Sequence, residues 1–194
     1  MATAGKAELR QRLLGARRSL SDEVRDAEAR MLIESLESLL TSNVTVCAYV
    51  PVGSEPGSIE MLDVLLHRAG RVLLPVARTT DDNAPLPLEW AEYRPGALIR
   101  GRWGLLEPAG PLLPASALAQ ARTVLVPALA VDRHGARLGR GQGFYDRSLG
   151  FRDPRAQLIA VVRDAELVDE LPTEPHDVRM THALTPLGGL IPLA

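Results

Sequence analysis

Three segments of the chain predict helices, the first through its composition and the other two through apolar residues that recur at helical spacing. Residues 4–18 consist mostly of good helix formers and predict an amino-terminal helix. A second helix is predicted to begin after Ser21, a typical N-cap residue, and to run to about Leu40. The third is predicted over residues 59–69, where Gly70 follows as a typical helix terminator.

Short apolar runs outside these helices predict strands, and several of the runs are rich in β-branched residues. The predicted strands are residues 44–50, 71–76, 88–93, 123–131, 157–162 and 182–185. Residues 94–122 are rich in Pro and Gly and are predicted as loop with a short helix near 116–121, and another short helix is predicted at 165–171. The alternation of strands and helices predicts an α/β fold of three layers, a mostly parallel central sheet with helices on both faces.

Three polar loops follow predicted strands, directly or after one helix. They contain Glu55, the glycine-rich stretch at 139–143, and Asp177. Because ligands of open α/β sheets bind at the carboxyl ends of the strands, these loops are expected to line one edge of the sheet.

The glycine-rich stretch lies in the sequence R-L-G-R-G-Q-G-F-Y-D, residues 137–146, after the apolar run that ends at Val131. Glycines let backbone N–H groups turn toward an anion, and a following helix N-terminus adds a partial positive charge. The spacing matches neither the dinucleotide fingerprint nor the Walker loop. From the residues alone, a phosphate-binding loop and a plain tight connection are both open.

Composition narrows the class of protein. The chain has 194 residues, 46% hydrophobic and 24% charged, with a net charge of −2, which suits one globular domain over residues 1–194. This charge gives no reason to expect nucleic-acid or acidic-membrane binding. The single cysteine, Cys47, excludes an intrachain disulfide and is expected in the core. The charged amino terminus predicts neither a signal peptide nor a membrane span, so a cytoplasmic protein is expected.

The string at 137–146, after V-P-A-L-A-V-D at 126–132, resembles the 5-formyltetrahydrofolate cyclo-ligase family, also called 5,10-methenyltetrahydrofolate synthetases. Other motifs of that family occur in the same order along nearly the whole chain. They are K-x-x-x-R at 6–10, Y-x-P-x-x-x-E-x-x-S at 49–58, L-P at 74–75, W-G-L-L-E-P at 103–108 and P-x-x-x-H-D-x-x-M at 172–180.

The resemblance implies an enzyme that converts 5-formyltetrahydrofolate and ATP into 5,10-methenyltetrahydrofolate, ADP and phosphate with Mg²⁺. It implies a fold related to the sugar-phosphate isomerase and CoA-transferase-like fold. It also implies small-molecule substrates only, and we expect a monomer. Two departures from the family pattern are Phe144, where tyrosine is usual, and Pro56-Gly57 beside Glu55.

The same resemblance assigns site residues. Catalytic roles fall to Arg140 and Tyr145, and the Mg²⁺ ligands are Asp146 and Asp177. The predicted ATP-binding residues are Lys6, Arg10, Arg137, Leu138, Gly139, Arg140, Gly141, Gln142, Gly143, Phe144 and Tyr145. The predicted folate-binding residues are Arg10, Val50, Glu55, Arg140, Gly141, Gln142, Gly143 and Phe144.

Each of these residues, taken singly, also has a purely structural interpretation. Asp146 suits a helix first turn, Tyr145 suits a core position, and His176 suits the surface as well as acid–base catalysis. Two other functions stay open from the residues: a sugar-phosphate isomerase or CoA-transferase-like enzyme that needs no ATP, and a non-catalytic nucleotide- or RNA-binding protein.

Overall fold

The computed structural model describes residues 2–174 and 177–194, with side chains from residue 5 onward. His176, the candidate acid or base, lies outside the described residues. The helices are α1 (Ala2–Arg18), α2 (Asp22–Leu39), α3 (Ile59–Ala69) and α4 (Phe144–Ser148). The strands are β1 (Val44–Cys47), β2 (Gly70–Val76), β3 (Glu89–Glu92), β4 (Leu98–Arg100), β5 (Leu106–Pro108), β6 (Ala121–Pro127), β7 (Ala130–Asp132), β8 (Arg137–Leu138), β9 (Gln157–Val161), β10 (Leu167–Val168), β11 (His182–Thr185) and β12 (Gly189–Pro192).

A seven-stranded sheet in the order β12-β11-β9-β6-β1-β2-β3 forms the centre of the molecule. Its five inner strands are parallel, and the two edge strands pair antiparallel to their neighbours. β1 lies between β6 and β2, with Cys47 opposite Leu73 of β2 and Val124 of β6. The predicted α/β fold with a mostly parallel sheet is therefore confirmed.

The predicted helix signals match the observed ends. The Ser21 hydroxyl accepts a hydrogen bond from the backbone N–H of Val24 at 3.4 Å, as expected of an N-cap. Gly70 closes α3 with a φ of 91°, a left-handed conformation that glycine adopts without a steric penalty.

Successive residues of the sheet point to opposite faces, and both faces are buried. Val46, Val72 and Leu125 pack in one cluster with residues of α2 and α3. Cys47, Leu73 and the other residues of the opposite face pack against residues 117–118 and 149, which lie in short 3₁₀ turns, and against α4. Long helices therefore cover one face, while α4 and 3₁₀ turns cover the other. The Cys47 thiol is fully buried, and burial raises its pKa well above the ordinary value.

α1 packs elsewhere, on a separate small sheet of order β10-β7-β8. Leu9, Leu13 and Leu14 of α1 pack against a cluster that includes Leu129, directly before β7, and Leu138 of β8. A two-stranded hairpin of β4 and β5, here called the 98–108 hairpin, completes the fold.

Three predicted elements differ from the structure. The strand predicted at 123–131 is two strands, because the chain leaves the large sheet after Pro127 and the Ala128 carbonyl accepts a hydrogen bond from buried Arg17 at 2.5 Å. The helix predicted at 165–171 is wrong. A 3₁₀ turn ends at Glu166, whose carboxylate accepts the Arg163 backbone N–H at 2.8 Å, and β10 then pairs with β7.

The strand predicted at 44–50 ends at Cys47, and β4, β5, β8, β10 and β12 were not predicted. All five are strands of two to four residues, too short for a periodic signal. Among the described residues, no helix has the length and hydropathy needed to cross a membrane.

Candidate active site

A cavity of about 670 Å³ lies at the carboxyl ends of three central strands. Tyr49 and Val50, just after β1, line it together with Ala77 after β2 and Ala128 after β6. This is the position that open parallel sheets use for ligands. Its size suits a small organic ligand.

All the residues predicted for the site lie around this one cavity. The lining includes Lys6, Arg10, Val50, Glu55, Arg137, Leu138, Gly139, Arg140, Gly141, Gln142, Gly143, Phe144, Tyr145, Asp146 and Asp177. Their individual roles in binding or catalysis stay predictions. Their juxtaposition shows that three loops distant in sequence meet at one edge of the sheet, as expected.

Residues 139–143, here called the glycine loop, connect β8 to α4. Gly141 and Gly143 have φ angles of 96° and 76°, a region that other residues rarely adopt. The Arg10 Nε atom donates to the Gly139 carbonyl at 2.9 Å, which fixes the loop to α1. α4 has only five residues, so its partial charge adds little to the loop amides and the arginines.

The glycine loop contacts the loop after β1 through an ion pair. Arg140 Nε lies 3.0 Å from Glu55 Oε1, and Arg140 Nη2 donates to the Val52 carbonyl at 3.2 Å. The other Glu55 oxygen accepts the Val52 N–H at 3.0 Å. Burial raises the pKa of Glu55 above its ordinary value, and the Arg140 charge opposes that rise.

A second ion pair spans the two ends of the 137–146 segment. Arg137 Nη2 donates to Asp146 Oδ1 at 2.5 Å, and the Arg137 guanidinium lies 5.7 Å from the centre of the Tyr145 ring. The Tyr145 hydroxyl is buried and has no hydrogen-bond partner among the described residues. Burial raises its pKa, so the phenol stays protonated.

Lys6 of α1 reaches the third loop. Its Nζ atom lies 3.2 Å from Glu174 Oε1 and 3.8 Å from Asp177 Oδ2, and the backbone N–H of Glu174 donates to Asp177 Oδ2 at 2.8 Å. No group of three or more His, Cys, Asp or Glu side chains suited to a metal occurs within residues 2–174 and 177–194. Mg²⁺ is commonly held by one or two carboxylates together with substrate phosphates, so Asp146 and Asp177 fit it only beside a bound nucleotide.

One wall of the cavity was not predicted from the residues, although the W-G-L-L-E-P motif of the resemblance lies there. The 98–108 hairpin contributes Trp103, Leu105, Leu106 and Glu107 to the lining. Trp103 is half exposed and has a φ of 60°, which is unusual for a bulky residue. The centre of the Trp103 ring lies 6.2 Å from that of Phe144, the residue that follows the glycine loop.

A buried ion network beside the cavity was also missed, and one of its members, Arg17, lines the cavity. Arg17 binds Glu166 through two hydrogen bonds of 2.6 and 2.7 Å. Arg163 donates to Glu28 at 2.7 Å and to the Ser54 carbonyl at 3.1 Å, directly before Glu55 in the chain. The network therefore supports the loop that carries Glu55. No local pattern signals it, since its members come from four separate segments.

Comparison with known proteins now decides the family. Residues 2–186 match the 5-formyltetrahydrofolate cyclo-ligase family. The chain belongs to this family. The family that the motifs at 137–146 and elsewhere predicted is thereby confirmed, and with it an enzyme of the cyclo-ligase class.

Relatives with this family name cover the chain to different extents. The 5-formyltetrahydrofolate cyclo-ligase of Mycolicibacterium smegmatis is 58% identical over 193 residues, 100% of both chains. That of Escherichia coli is 29% identical over 144 residues, which are 73% of this chain and 78% of the relative.

Solved structures agree with the fold. The 5,10-methenyltetrahydrofolate synthetase of Aquifex aeolicus superposes with a TM-score of 0.70 at 25% identity, over 96% of this chain and 92% of the other. The synthetase of Mycoplasma pneumoniae gives a TM-score of 0.68 at 20% identity, over 90% and 94%, which supports the fold alone.

Proposed function

We propose that this protein catalyses the ATP- and Mg²⁺-dependent cyclisation of 5-formyltetrahydrofolate to 5,10-methenyltetrahydrofolate, with release of ADP and phosphate. The observation that carries the proposal is the contact between Arg140 and Glu55, 3.0 Å apart. It joins the glycine loop, to which we assign phosphate binding, to a carboxylate that can accept hydrogen bonds from a pterin.

The reaction has two steps, phosphorylation of the formyl oxygen and ring closure at the formyl carbon. The formyl oxygen attacks the γ-phosphorus of ATP and ADP leaves, which converts a poor leaving group into a phosphate ester. N10 of the folate then attacks the activated carbon and loses its proton, and phosphate departs with the former formyl oxygen. The protein's task is to align the formyl oxygen with the γ-phosphorus and to disperse the developing charge.

The glycine loop supplies this alignment. Backbone N–H groups of residues 139–143 and the cations Lys6, Arg10 and Arg137 bind the phosphates, and Arg140 neutralises the transferred group. Support comes from the left-handed φ angles of Gly141 and Gly143, which allow amides to face an anion. The protonated Tyr145 hydroxyl is suited to donate a hydrogen bond and unsuited to act as a base.

Asp146 and Asp177 would hold Mg²⁺ together with phosphate oxygens. The metal would supply positive charge to the γ-phosphate during transfer. Arg137 donates to one oxygen of Asp146, Oδ1, which leaves Oδ2 as the atom that would bind a metal.

Folate occupies the part of the cavity beside Glu55, Val50 and Phe144. The Glu55 carboxylate accepts hydrogen bonds from pterin N–H groups, while the apolar Val50 and the Phe144 ring contact the flat heterocycle. We further propose one catalytic domain over residues 1–194, a monomeric cytoplasmic enzyme that binds no nucleic acid, and a fold related to the sugar-phosphate isomerase and CoA-transferase-like fold.

The decisive experiment follows the absorbance of the methenyl product. Purified protein with 5-formyltetrahydrofolate, MgATP and buffer should form it, and omission of ATP should abolish it. Product formation without ATP would contradict the proposal and favour an isomerase or transferase. Binding of ATP without any turnover would favour a non-catalytic nucleotide-binding protein.

A further inference from the structure

Arg102, at the rim of the cavity, has no acidic partner within the part of the chain that the structure describes. Its Nη1 atom donates to the Thr79 hydroxyl at 2.7 Å and its Nη2 atom to the Asn83 side-chain oxygen at 3.3 Å. Asp82, close to Asn83 in the chain, instead accepts a hydrogen bond from Thr80. Neutral groups thus orient a full positive charge without neutralising it.

The residues that contact Arg102 form part of the cavity wall. Thr79, Asn83 and Trp103 all line the cavity. The Arg102 guanidinium lies 4.8 Å from the centre of the Trp103 ring, and Trp103 in turn faces Phe144. The left-handed φ of Trp103 is a second, independent sign that this segment is held in a specific conformation.

The two substrates carry their charge at opposite ends. ATP has its negative charge at the reacting end, where the glycine loop, Arg10 and Lys6 lie. 5-Formyltetrahydrofolate has a neutral ring at its reacting end and glutamate carboxylates at its far end. Within the described residues, the Arg102 side chain donates to Thr79 and Asn83 and to none of residues 139–143, so this cation matches the folate tail.

We propose that Arg102 binds a glutamate carboxylate of 5-formyltetrahydrofolate at the rim of the cavity. The inference rests on the proposed function for its substrate. The planar guanidinium, already fixed by Thr79, Asn83 and the Trp103 ring, presents its remaining donors to a planar carboxylate, a geometry that lysine does not offer. Arg102 is thus a specificity residue for the tail of the folate.

The test compares two ligands that differ only in this tail, 5-formyltetrahydrofolate and 5-formyltetrahydropteroate, which lacks the glutamate. Binding of each is measured by calorimetry without ATP at low ionic strength. Arg102→Gln should weaken binding of the first by about five-fold, the scale of an exposed charge pair, and added salt should reduce that loss. Binding of the second should change less than two-fold.

Arg100→Gln is the matched control, since Arg100 is an exposed arginine of the same hairpin and, within the described residues, makes none of the contacts that Arg102 makes with Thr79, Asn83 and Trp103. It should leave both affinities unchanged, and Arg102→Lys should recover only part of the loss. Equal weakening of both ligands, or a change in the KM for ATP alone, would overturn the assignment.

Failure of the two proposals can be told apart. Wild-type protein that binds 5-formyltetrahydrofolate but forms no product would contradict the proposed function, while the ligand comparison would still decide the role of Arg102. Wild-type turnover with identical behaviour of Arg102→Gln and Arg100→Gln would remove Arg102 from the site and leave the function intact.

Discussion

The Arg140 guanidinium lies 3.0 Å from the Glu55 carboxylate and joins the glycine loop to the loop after β1. The pair sets the ionisation of Glu55, because burial raises its pKa above the ordinary value of 4.5 and Arg140 limits that rise. The proposed contact between Glu55 and the pterin therefore predicts that substrate affinity depends on pH.

We predict that affinity for 5-formyltetrahydrofolate falls as the pH drops through a value above 4.5, because protonated Glu55 cannot accept two pterin hydrogen bonds. Arg140→Met should move this midpoint to higher pH, and Arg140→Lys should restore most of it. The measurement is binding as a function of pH without ATP. A midpoint that is the same in wild type and Arg140→Met would remove Arg140 as the controlling charge.

The Arg163 side chain is predicted to position Glu55. Arg163→Met deletes the hydrogen bond to the Ser54 carbonyl and should raise the KM for 5-formyltetrahydrofolate several-fold, with kcat and the KM for ATP little changed. Glu28→Gln is the control, since it weakens the same buried network but keeps the Ser54 contact. A similar KM rise in both variants would indicate a general structural effect.

Arg17→Met should destabilise the fold by about 3–5 kcal/mol, because it leaves the Glu166 carboxylate buried without its main partner. Denaturant titration measures the loss. The double variant Arg17→Met/Glu166→Leu should recover a large part of it, since both charges are then removed. If the single variant unfolds at the wild-type midpoint, the pair contributes little to stability.

Asp146→Asn is expected to abolish most Mg²⁺-dependent turnover while the thermal midpoint stays within a few degrees of wild type, since the Asp146 side chain is 43% exposed. A raised Mg²⁺ requirement in steady-state kinetics would support the metal role. Asp153→Asn, which removes a carboxylate that forms an ion pair with surface Arg155, serves as the control. Wild-type Mg²⁺ dependence in Asp146→Asn would exclude Asp146 as a ligand.

Lys6→Ala should raise the KM for ATP about ten-fold and the KM for 5-formyltetrahydrofolate much less, because hydrogen bonds to charged groups contribute about 1.5–3 kcal/mol. Lys6 lies at the cavity, between Glu174 and Asp177. Steady-state kinetics with each substrate varied in turn separates the two constants. An unchanged KM for ATP would remove Lys6 from the nucleotide site.

Sequence patterns predicted the elements whose residues repeat a strong signal. α3, with Gly70 after it, was located correctly, and the strand predicted at 157–162 is β9, Gln157–Val161. The helix predicted at 165–171 failed because a tertiary contact prevailed: Glu166 turns inward to Arg17, and the chain that follows joins the small sheet. Helix propensity is too weak to outweigh such contacts.

The residues of the candidate site were likewise predicted only in part. Motifs around 137–146 located the cavity-lining loops, because glycine, arginine and aspartate at fixed spacing carry a recognisable signal. The Arg163–Ser54 contact and the wall formed by Trp103 depend on chain segments that meet only in the folded protein. Local sequence patterns therefore cannot predict these contacts between distant segments.

Cys47 offers a direct reporter on the folded state. Its thiol is fully buried on β1, an inner strand of the large sheet, so an alkylating reagent reaches it only when the sheet opens. Since the chain has no other cysteine, the rate of labelling tracks this opening alone. Labelling with and without nucleotide or folate would show how strongly each ligand closes the protein, before any product is formed.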